Sequence, residues 1–337
     1  MPIDKKCPSC GGTMLFAPGT DGLLCQSCGH TEKIPELVSE VKAQELDLSS
    51  AHSFASHDWG METQICQCSQ CGGQTINNKL LLSGMCPFCG STTIIPVQPG
   101  TELLAPNGII PFKVNETRAT NYFKNWARDL FLAPEKLAQN SKLDKFKGIY
   151  VPYFTFDVDT VNQYTGKFTF KTDKKDSNGD YIYERREKSG AFQYRVNDFP
   201  VVASNMIASD RILVSAMQYK TEEARVYTPD ALAGFPAENY SVGLNEAWNR
   251  AANDMNHYLK DIARIYEHAD YQVSTKIVTT SYTNVTYKYL LVPVWINSFV
   301  YDNRRFMIVV NGQTGEVRGQ WTKSFGRLAK GVLGLFF

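Results

Sequence analysis

The sequence has no long hydrophobic run and no excess of charge of either sign. Its longest apolar stretch, Leu290–Ile296, contains Pro293 and is far too short to span a bilayer. No apolar run precedes Cys7, so we expect neither a signal peptide nor an N-terminal anchor. Lysine plus arginine (35) nearly balance aspartate plus glutamate (34), which argues against a dedicated nucleic-acid binder, although a local basic patch fits such a total.

Motifs of ATP-driven motors and of hydrolytic enzymes are also absent. No Gly-x-x-x-x-Gly-Lys-Ser/Thr loop occurs, so no ATP-driven activity is predicted. Asp157 and Asp159 could act as a carboxylate pair on a strand, but no nucleophile or base accompanies them. His257 and His268 would lie about 16 Å apart on a helix, too far to share a metal ion, and we interpret them as solvated. A hydrolase is therefore only a minor alternative.

Nine cysteines contrast with these absences, and eight of them occur in four Cys-x-x-Cys pairs. Such pairs form tight turns, called knuckles, that each deliver two thiolates to a metal ion. The pairs fall into two groups related by an offset of 61 positions. The sequence predicts two structural zinc sites with four ligands each: Cys7, Cys10, Cys25 and Cys28 in the first, and Cys68, Cys71, Cys86 and Cys89 in the second.

Glycines follow the knuckles at matching positions in both groups. We expect Gly72 and Gly90 to adopt positive φ and to turn backbone amides toward the sulfurs. A hairpin with its turn at Asn77–Asn78 is predicted between the second pair of knuckles. Disulfides are disfavoured because a reducing cytosol keeps thiols free, whereas iron–sulfur ligation is an alternative. Cys66 is unmatched; we interpret it as a bystander close enough to Cys68 to replace it as a ligand.

The length of 337 residues and the hydrophobic content of 43% predict two to four globular domains. The predicted fold class is α+β, with two N-terminal zinc ribbons followed by a duplicated unit of a helix and an antiparallel sheet. The predicted parts are a first ribbon (1–33), a linker helix (34–62), a second ribbon (63–97), two α+β units (98–235 and 236–322) and an amphipathic tail (323–337).

Helical periodicity is weak in the linker and strong at the start of each α+β unit. The linker stripe follows Pro35 and comprises Leu37, Val41, Gln44 and Leu48, with His52 and His57 as loop histidines beyond it. The first unit opens with a helix over 115–130, capped by Asn115, and a shorter helix is expected over 133–139. The second unit opens with the longest helix, over 242–269, with a predicted inner face of Ala247, Ala251, Met255, Tyr258, Leu259, Ile262 and Ile265.

Segments rich in Val, Phe, Tyr and Thr follow each helix and predict long strands. Val151-Pro152 and Val292-Pro293 occupy corresponding positions after the two helices, which is the basis for the predicted duplication. A short strand is expected over 108–114, and the charged segment Lys171–Lys188 is expected to be a loop or hairpin tip. Asn311-Gly312 and Thr314-Gly315 predict a tight hairpin near the C-terminus.

Several motifs resemble, in order and over nearly the whole chain, a bacterial family known as TFIIB-type zinc-ribbon proteins, sometimes labelled primosomal helicase-like. They are CPSCGG, GIIPFKV before a tryptophan-containing helix, GIYVPYFTFD, LLVPVW and VNGQTGEVRG. Similar members are encoded beside a phage-shock-protein-A homologue and an SPFH-domain protein, and are thought to help place them at the membrane during envelope stress. Many relatives carry transmembrane helices after the VNGQTG hairpin, whereas this sequence continues to GRLAKGVLGLFF.

The last segment, Lys323–Phe337, is predicted to be amphipathic. On a helical wheel two groups lie on opposite sides: the apolar Phe325, Leu328, Val332, Leu335 and Phe336, and the basic Lys323, Arg327 and Lys330. This pattern is typical of a helix that lies in a membrane interface. Gly331 and Gly334 weaken a helix, so packing of the tail on the protein's own sheet or on a partner subunit is an equal alternative.

We therefore expect a non-enzymatic, cytoplasmic zinc-binding adaptor that docks partner proteins, with peripheral contact to the inner face of the cell membrane. The resemblance implies as partners a phage-shock-protein-A homologue, an SPFH-domain protein or a membrane-embedded relative. The expected cofactors are two structural Zn²⁺ ions, because four cysteine ligands leave no open position for water. The alternative is a nucleic-acid-binding zinc-ribbon protein linked to replication or transcription.

Overall fold

The computed structural model of this chain describes residues 5–39, 41–51, 56–78, 85–98, 103–129, 145–301 and 304–320. The α-helices are α1 (Pro35–Val38), α2 (Glu116–Asp129), α3 (Asn205–Ala208), α4 (Arg211–Val214) and α5 (Leu244–Tyr266). The strands are β1 (Met14–Phe16), β2 (Gly22–Cys25), β3 (Thr31–Lys33), β4 (Leu46–Asp47), β5 (Thr63–Cys68), β6 (Gln74–Asn78), β7 (Ile94–Val97), β8 (Gly108–Ile109), β9 (Lys147–Lys175), β10 (Tyr181–Val202), β11 (Arg225–Val226), β12 (Ala237–Glu238), β13 (Tyr271–Tyr301), β14 (Arg304–Asn311) and β15 (Val317–Gly319).

The strands form two sheets. The first cysteine module contains a three-stranded antiparallel sheet, β1-β2-β3. A 12-stranded sheet follows the order β11-β8-β13-β9-β12-β6-β5-β7, with β10 on β9, β4 and β14 on β13, and β15 on β14. The chain is thus a mixed α/β protein in which strands from both predicted α+β units, and from the second cysteine module, belong to one sheet.

Three long strands, β9, β10 and β13, form the central part of the large sheet. β9 and β13 are antiparallel: Lys147 of β9 is opposite Ile296 of β13 at one end, and Thr169 is opposite Tyr271 at the other. β10 pairs with the other edge of β9. Valine, tyrosine, phenylalanine and threonine dominate these strands, and such side chains pack well on a pleated surface. The far ends of the three strands extend away from the rest of the sheet; we call residues 157–175, 181–196 and 271–285 the arm.

Helix α5 lies along one face of the arm. Its buried residues are spaced by four: Ala247, Ala251, Met255, Leu259 and Ala263. Such a row winds slowly around the helix, which matches the twist of the sheet beneath. The prediction that Tyr258 and Ile265 face inward was wrong, since they are 39% and 55% exposed. On a helical wheel Ile265 lies at the same angle as Ala247. The buried row shifts around the helix, however, and near Ile265 it has reached the opposite side of the wheel.

Helix α2 confirms its predicted N-cap. The Asn115 side chain accepts a hydrogen bond of 2.9 Å from the amide of Arg118, and Ala119, Phe123 and Ala127 are buried. The strand predicted over 108–114 is limited to β8, which pairs parallel with β13. The short helix predicted over 133–139 lies outside the described residues.

The predicted linker helix was wrong beyond its first turn. α1 ends at Val38, and the chain then continues to β4, which pairs with β13 at Thr286 and Tyr287. Pairing with a sheet edge outweighs the weak helical stripe, and Val41 is 51% exposed. Within the described residues, no helix combines the length and apolar character that a membrane span requires.

Of three predicted turns, one is shorter than predicted, one is wrong and one is confirmed. Lys171–Lys188 is largely strand, and the turn is confined to 176–180, where Gly179 has φ of 88°. Asn77 and Asn78 belong to β6 and pair with β5, so the turn predicted there is wrong. The C-terminal hairpin forms as predicted, because Gly315 adopts φ of 83° and its amide donates to the Asn311 carbonyl at 2.9 Å.

Candidate metal centres

The first cysteine cluster joins the knuckles that flank β1 and β2. The Sγ–Sγ distances are 3.5 Å between Cys7 and Cys28 and 3.6 Å between Cys10 and Cys25. All four sulfurs lie within 4.8 Å of one another. Cys7 and Cys25 are buried, whereas Cys10 and Cys28 are exposed. The first predicted ligand set is therefore assembled at metal-binding distances.

The second cluster has the same geometry. Cys68 and Cys89 are separated by 3.5 Å between sulfurs and Cys71 and Cys86 by 3.6 Å, again with all four within 4.8 Å. Here Cys71 and Cys89, the counterparts of the exposed Cys10 and Cys28, are half-buried. The repeat seen in the sequence is thus also a repeat in space.

All four knuckles are closed by the same pair of backbone hydrogen bonds. At Cys68 the amide donates to the carbonyl of Gly73, and the amide of Gly72 donates back to the Cys68 carbonyl, both at 2.9 Å. In each knuckle a glycine supplies the amide that donates to the carbonyl of the first cysteine. These four glycines have φ between 73° and 76°, a region that favours glycine: Gly11, Gly29, Gly72 and Gly90. The prediction of positive φ at Gly72 and Gly90 is confirmed.

Backbone amides favour the thiolate form of one cysteine in each cluster. The amides of Cys28 and Ser27 lower the pKa of Cys25 to about 6. At Cys68 burial opposes ionisation, but the amides of Cys71 and Gln70 outweigh it and lower the pKa to about 7. Since only the thiolate binds a metal ion well, the knuckle backbone prepares these sulfurs as ligands.

The donor set and spacing fit one tetrahedral metal ion per cluster. With metal–sulfur bonds of about 2.3 Å, the edges of a tetrahedron of sulfurs measure about 3.8 Å. The shortest Sγ–Sγ distances, 3.5 and 3.6 Å, are close to this edge. Four thiolates fill a tetrahedral shell, so water has no open position and the centres suit a structural role.

The two cysteine modules contact the large sheet differently. The second module is part of it, because β6 pairs with β12 and Phe88 between its last two ligands is fully buried. The first module is docked on the sheet: the Phe16 amide donates to the Ala233 carbonyl at 2.9 Å, and the Phe16 ring contacts Phe235 at 6.3 Å between centroids.

Cys66 lies in β5 and is 2% exposed. It is opposite Thr75 on one side and Pro96 on the other, and it is not among the four clustered sulfurs of the second centre. Cys66 lies two residues before Cys68 in the same strand and is buried in the core of the module.

The structure brings together an ionic cluster that sequence reasoning missed. Carboxylate oxygens of Glu45, Asp157 and Asp198 lie within 4.8 Å of one another. The Lys288 ammonium pairs with Glu45 and, at 2.5 Å, with Asp198. Burial lowers the pKa of Lys288, but Asp198 and Glu45 outweigh it and raise the pKa. The only sequence signal was a lysine within the apolar run of β13.

Of the candidate catalytic residues, Asp157 belongs to this ionic cluster, and both Asp157 and Asp159 are paired with one arginine. Arg195 binds Asp159 at 2.9 Å and Asp157 at 3.7 Å, so both carboxylates are held in ion pairs. His257 and His268 are exposed, in agreement with the solvated surface predicted for them. His57 is also exposed, and His52 lies outside the described residues. So does the predicted membrane-binding set Lys323, Phe325, Arg327, Leu328, Lys330, Val332, Leu335 and Phe336.

Glu238 is a second feature that the sequence did not reveal. It lies in β12, where the second cysteine module joins the sheet, and is 2% exposed. Ser204 Oγ donates to Glu238 Oε1 at 2.7 Å, whereas Oε2 has no hydrogen-bond partner among the described residues. Burial outweighs the Ser204 hydrogen bond and raises the pKa of Glu238 to about 8.

Comparisons with known proteins give one full-length relative of unknown role. No protein-family model matches the chain, and no solved structure matches it. The chain is similar to the uncharacterized protein YdjG of Bacillus subtilis (strain 168), with 28% identity over 344 residues, covering 99% of this chain and 94% of that protein.

Proposed function

We propose that the protein is a non-enzymatic zinc-binding adaptor that docks partner proteins, acting in the cytoplasm at the inner face of the cell membrane in an envelope-stress system. The observation that carries the proposal is the pair of four-cysteine clusters at metal-binding distances, in which four thiolates would leave water no open ligand position. Such centres stabilise folds rather than activate substrates. The partners and the membrane setting follow from the family resemblance.

Zinc is favoured over iron–sulfur clusters by the spacing of the sulfurs. All four sulfurs of each centre lie within 4.8 Å of one another, which leaves room for one ion at the middle. A cluster of two or four irons would hold its cysteine sulfurs farther apart. Zn²⁺ is the common single ion for four cysteines in two knuckles.

The proposed duplication is supported by the centre of the large sheet. Val151 of β9 lies opposite Val292 of β13, so the two Val-Pro motifs flank one point of an antiparallel pair. Pro152 is opposite Leu291, and Pro293 is opposite Tyr150. A two-fold axis through this point would superpose one motif on the other, as expected for two copies of an ancestral unit.

Metal content and matched cysteine variants test the proposal. We expect two zinc ions per purified chain, and one after either Cys7→Ser or Cys68→Ser. Because the second module is part of the large sheet, Cys68→Ser should lower the melting temperature of the sheet more than Cys7→Ser does. Elemental analysis that finds one ion or none in wild-type protein prepared without chelator would contradict the two-site assignment.

Partner capture tests the adaptor role itself. Crosslinking in cells, followed by mass spectrometry of the membrane and soluble fractions, should recover the same proteins with wild type and with Cys66→Ser, a cysteine outside the clusters. A variant with all four ligands of the first centre changed to serine should lose them. Recovery of the same proteins with that variant would show that the first module does not dock partners.

A further inference from the structure

The arm has one face covered by α5 and an opposite face, which we call the outer face. On the covered side Phe156 and Phe168 of β9 are fully buried, whereas the alternate residues Val161, Thr165 and Lys167 are exposed. Because side chains alternate across a strand, the odd-numbered residues of β9 and their pairing partners belong to the outer face. Its exposed residues show that it is open to solvent.

Three exposed tyrosines lie in a row on the distal part of the outer face. Tyr181, Tyr183 and Tyr271 are 44%, 45% and 61% exposed. Tyr183 is opposite Lys171 and Tyr271 is opposite Thr169, so the two rings meet across β9 with centroids 5.9 Å apart. Exposed aromatic rings on a sheet surface are the platforms on which unpaired bases stack.

Cations surround these tyrosines. Five exposed basic residues lie with them on the distal part of the outer face, from position 165 of β9 to its end: Lys167, Lys171, Lys175, Arg185 and Lys276. The Nζ atoms of Lys171 and Lys175 lie 3.4 Å and 4.8 Å from the Tyr181 ring centroid. Three carboxylates oppose them: Glu187, paired with Lys167 at 2.9 Å, Asp173, and Asp270, which accepts from the Lys171 amide. On this distal part, five cations against three acids leave a local charge of +2; over the whole outer face, which adds Arg195, Asp157 and Asp159, the balance is +1.

A shallow groove connects the basic residues on this face. It encloses about 290 Å³ and is lined by Thr165, Lys167, Glu187, Thr275 and Lys276 among others. Ammonium groups and threonine hydroxyls are donors that suit phosphate oxygens. The groove and the tyrosine row therefore provide backbone contacts and base contacts on one continuous surface.

We propose that the outer face of the arm binds single-stranded nucleic acid, with bases on Tyr183 and Tyr271 and phosphates on the lysines. This role is additional to the adaptor role and does not depend on it. An anionic membrane is the less suitable partner, because the described outer face has none of the Trp, Phe and Leu side chains that insert below the lipid headgroups. The aromatic residues of this face are tyrosines, and Ile182 alternates to the other side of the ribbon.

Fluorescence anisotropy with labelled oligo-dT and oligo-U of about 20 nucleotides tests the proposal. At low salt the wild-type chain should bind both probes saturably. The logarithm of the binding constant should fall against the logarithm of salt concentration with a slope of about −2 to −3.5, as expected for three to five phosphate contacts at about −0.7 each.

Matched variants locate the surface. Tyr183→Ser and Tyr271→Ser should each weaken binding about tenfold, whereas Tyr183→Phe, which keeps the ring, should bind like wild type. Lys171→Gln or Lys276→Gln should reduce the salt slope by about 0.7. Arg186→Gln removes the same charge from the opposite face, where Arg186 lies over Phe170, and should leave the slope unchanged. Circular dichroism melts confirm that each variant is folded.

Three results would overturn the proposal. The first is an absence of saturable binding to either oligonucleotide at low salt. The second is binding that the serine and glutamine variants of the outer face leave unchanged, because the nucleic acid would then lie elsewhere. The third is co-sedimentation with phosphatidylserine–phosphatidylcholine vesicles through these residues without any binding to oligonucleotides, which would assign the face to lipid.

Discussion

Replacing Glu238 by glutamine should make the protein more stable, and increasingly so as the pH rises. The carboxyl group is buried where the second cysteine module joins the sheet, with one hydrogen bond to Ser204. Its pKa in the folded state is about 8, against 4.5 for the ordinary group. Between these two pKa values the Glu238 carboxyl group is ionised in the unfolded chain but protonated in the folded chain. The free energy of unfolding therefore falls as pH rises.

The magnitude follows from the separation of the two pKa values. Each pH unit between them costs about 1.4 kcal/mol, and the loss levels off above pH 8. Glutamine has the shape of the protonated acid and does not titrate, so Glu238→Gln should remove this loss. Relative to wild type, the variant should gain about 2 kcal/mol more at pH 8 than at pH 6.

Thermal unfolding of both proteins across pH 6–8.5 measures this difference. About 2 kcal/mol corresponds to roughly 3 °C in melting temperature for a chain of this size. Comparison of the two proteins at each pH cancels the pH dependence of metal binding, and Glu222→Gln, at an exposed position, is the matched control. A difference in melting temperature that stays constant with pH would refute the reasoning.

Four further predictions concern other sites. Gly315→Ala should destabilise the fold by about 1–3 kcal/mol in urea titration, because φ is 83° and a Cβ would lie 2.6 Å from the Tyr122 ring. Lys288→Met should cost on the order of 2 kcal/mol by the same assay, since it leaves the partly exposed Glu45 and Asp198 unneutralised. His257→Ala, on the exposed side of α5, should leave partner capture intact; loss of capture by the folded variant would reopen the enzyme hypothesis. Liposome co-sedimentation should weaken when the chain ends at Thr322, and equal binding of both forms would exclude the tail as an anchor.

Features set by near neighbours in the sequence were predictable. Knuckle spacing, glycines with positive φ, the Asn115 cap and the Asn311–Gly315 hairpin each depend on a few consecutive residues. Backbone geometry alone restricts which residue types fit such positions, so the pattern is readable without the fold.

Features set by distant contacts were not predictable. The linker after Val38 forms a strand because β13 offers an edge, which a weak helical stripe does not reveal. Lys288 meets Glu45 and Asp198 only after β4, β10 and β13 come together. Likewise Glu238 looks like an ordinary polar residue until β6 and β9 enclose it on both sides. Burial, which decides the chemistry of both groups, is a property of the whole sheet.

The pairing of β9 with β13 also orders the events of biosynthesis. The four ligands of the first cysteine module all lie between Cys7 and Cys28, so they can bind a metal ion soon after they leave the ribosome. Lys147, in contrast, pairs with Ile296, and at about 5–20 residues per second that partner is made on the order of ten seconds later. During this interval the edge of β9 that will pair with β13 has no partner strand. A chaperone would therefore be needed most at this nascent stage.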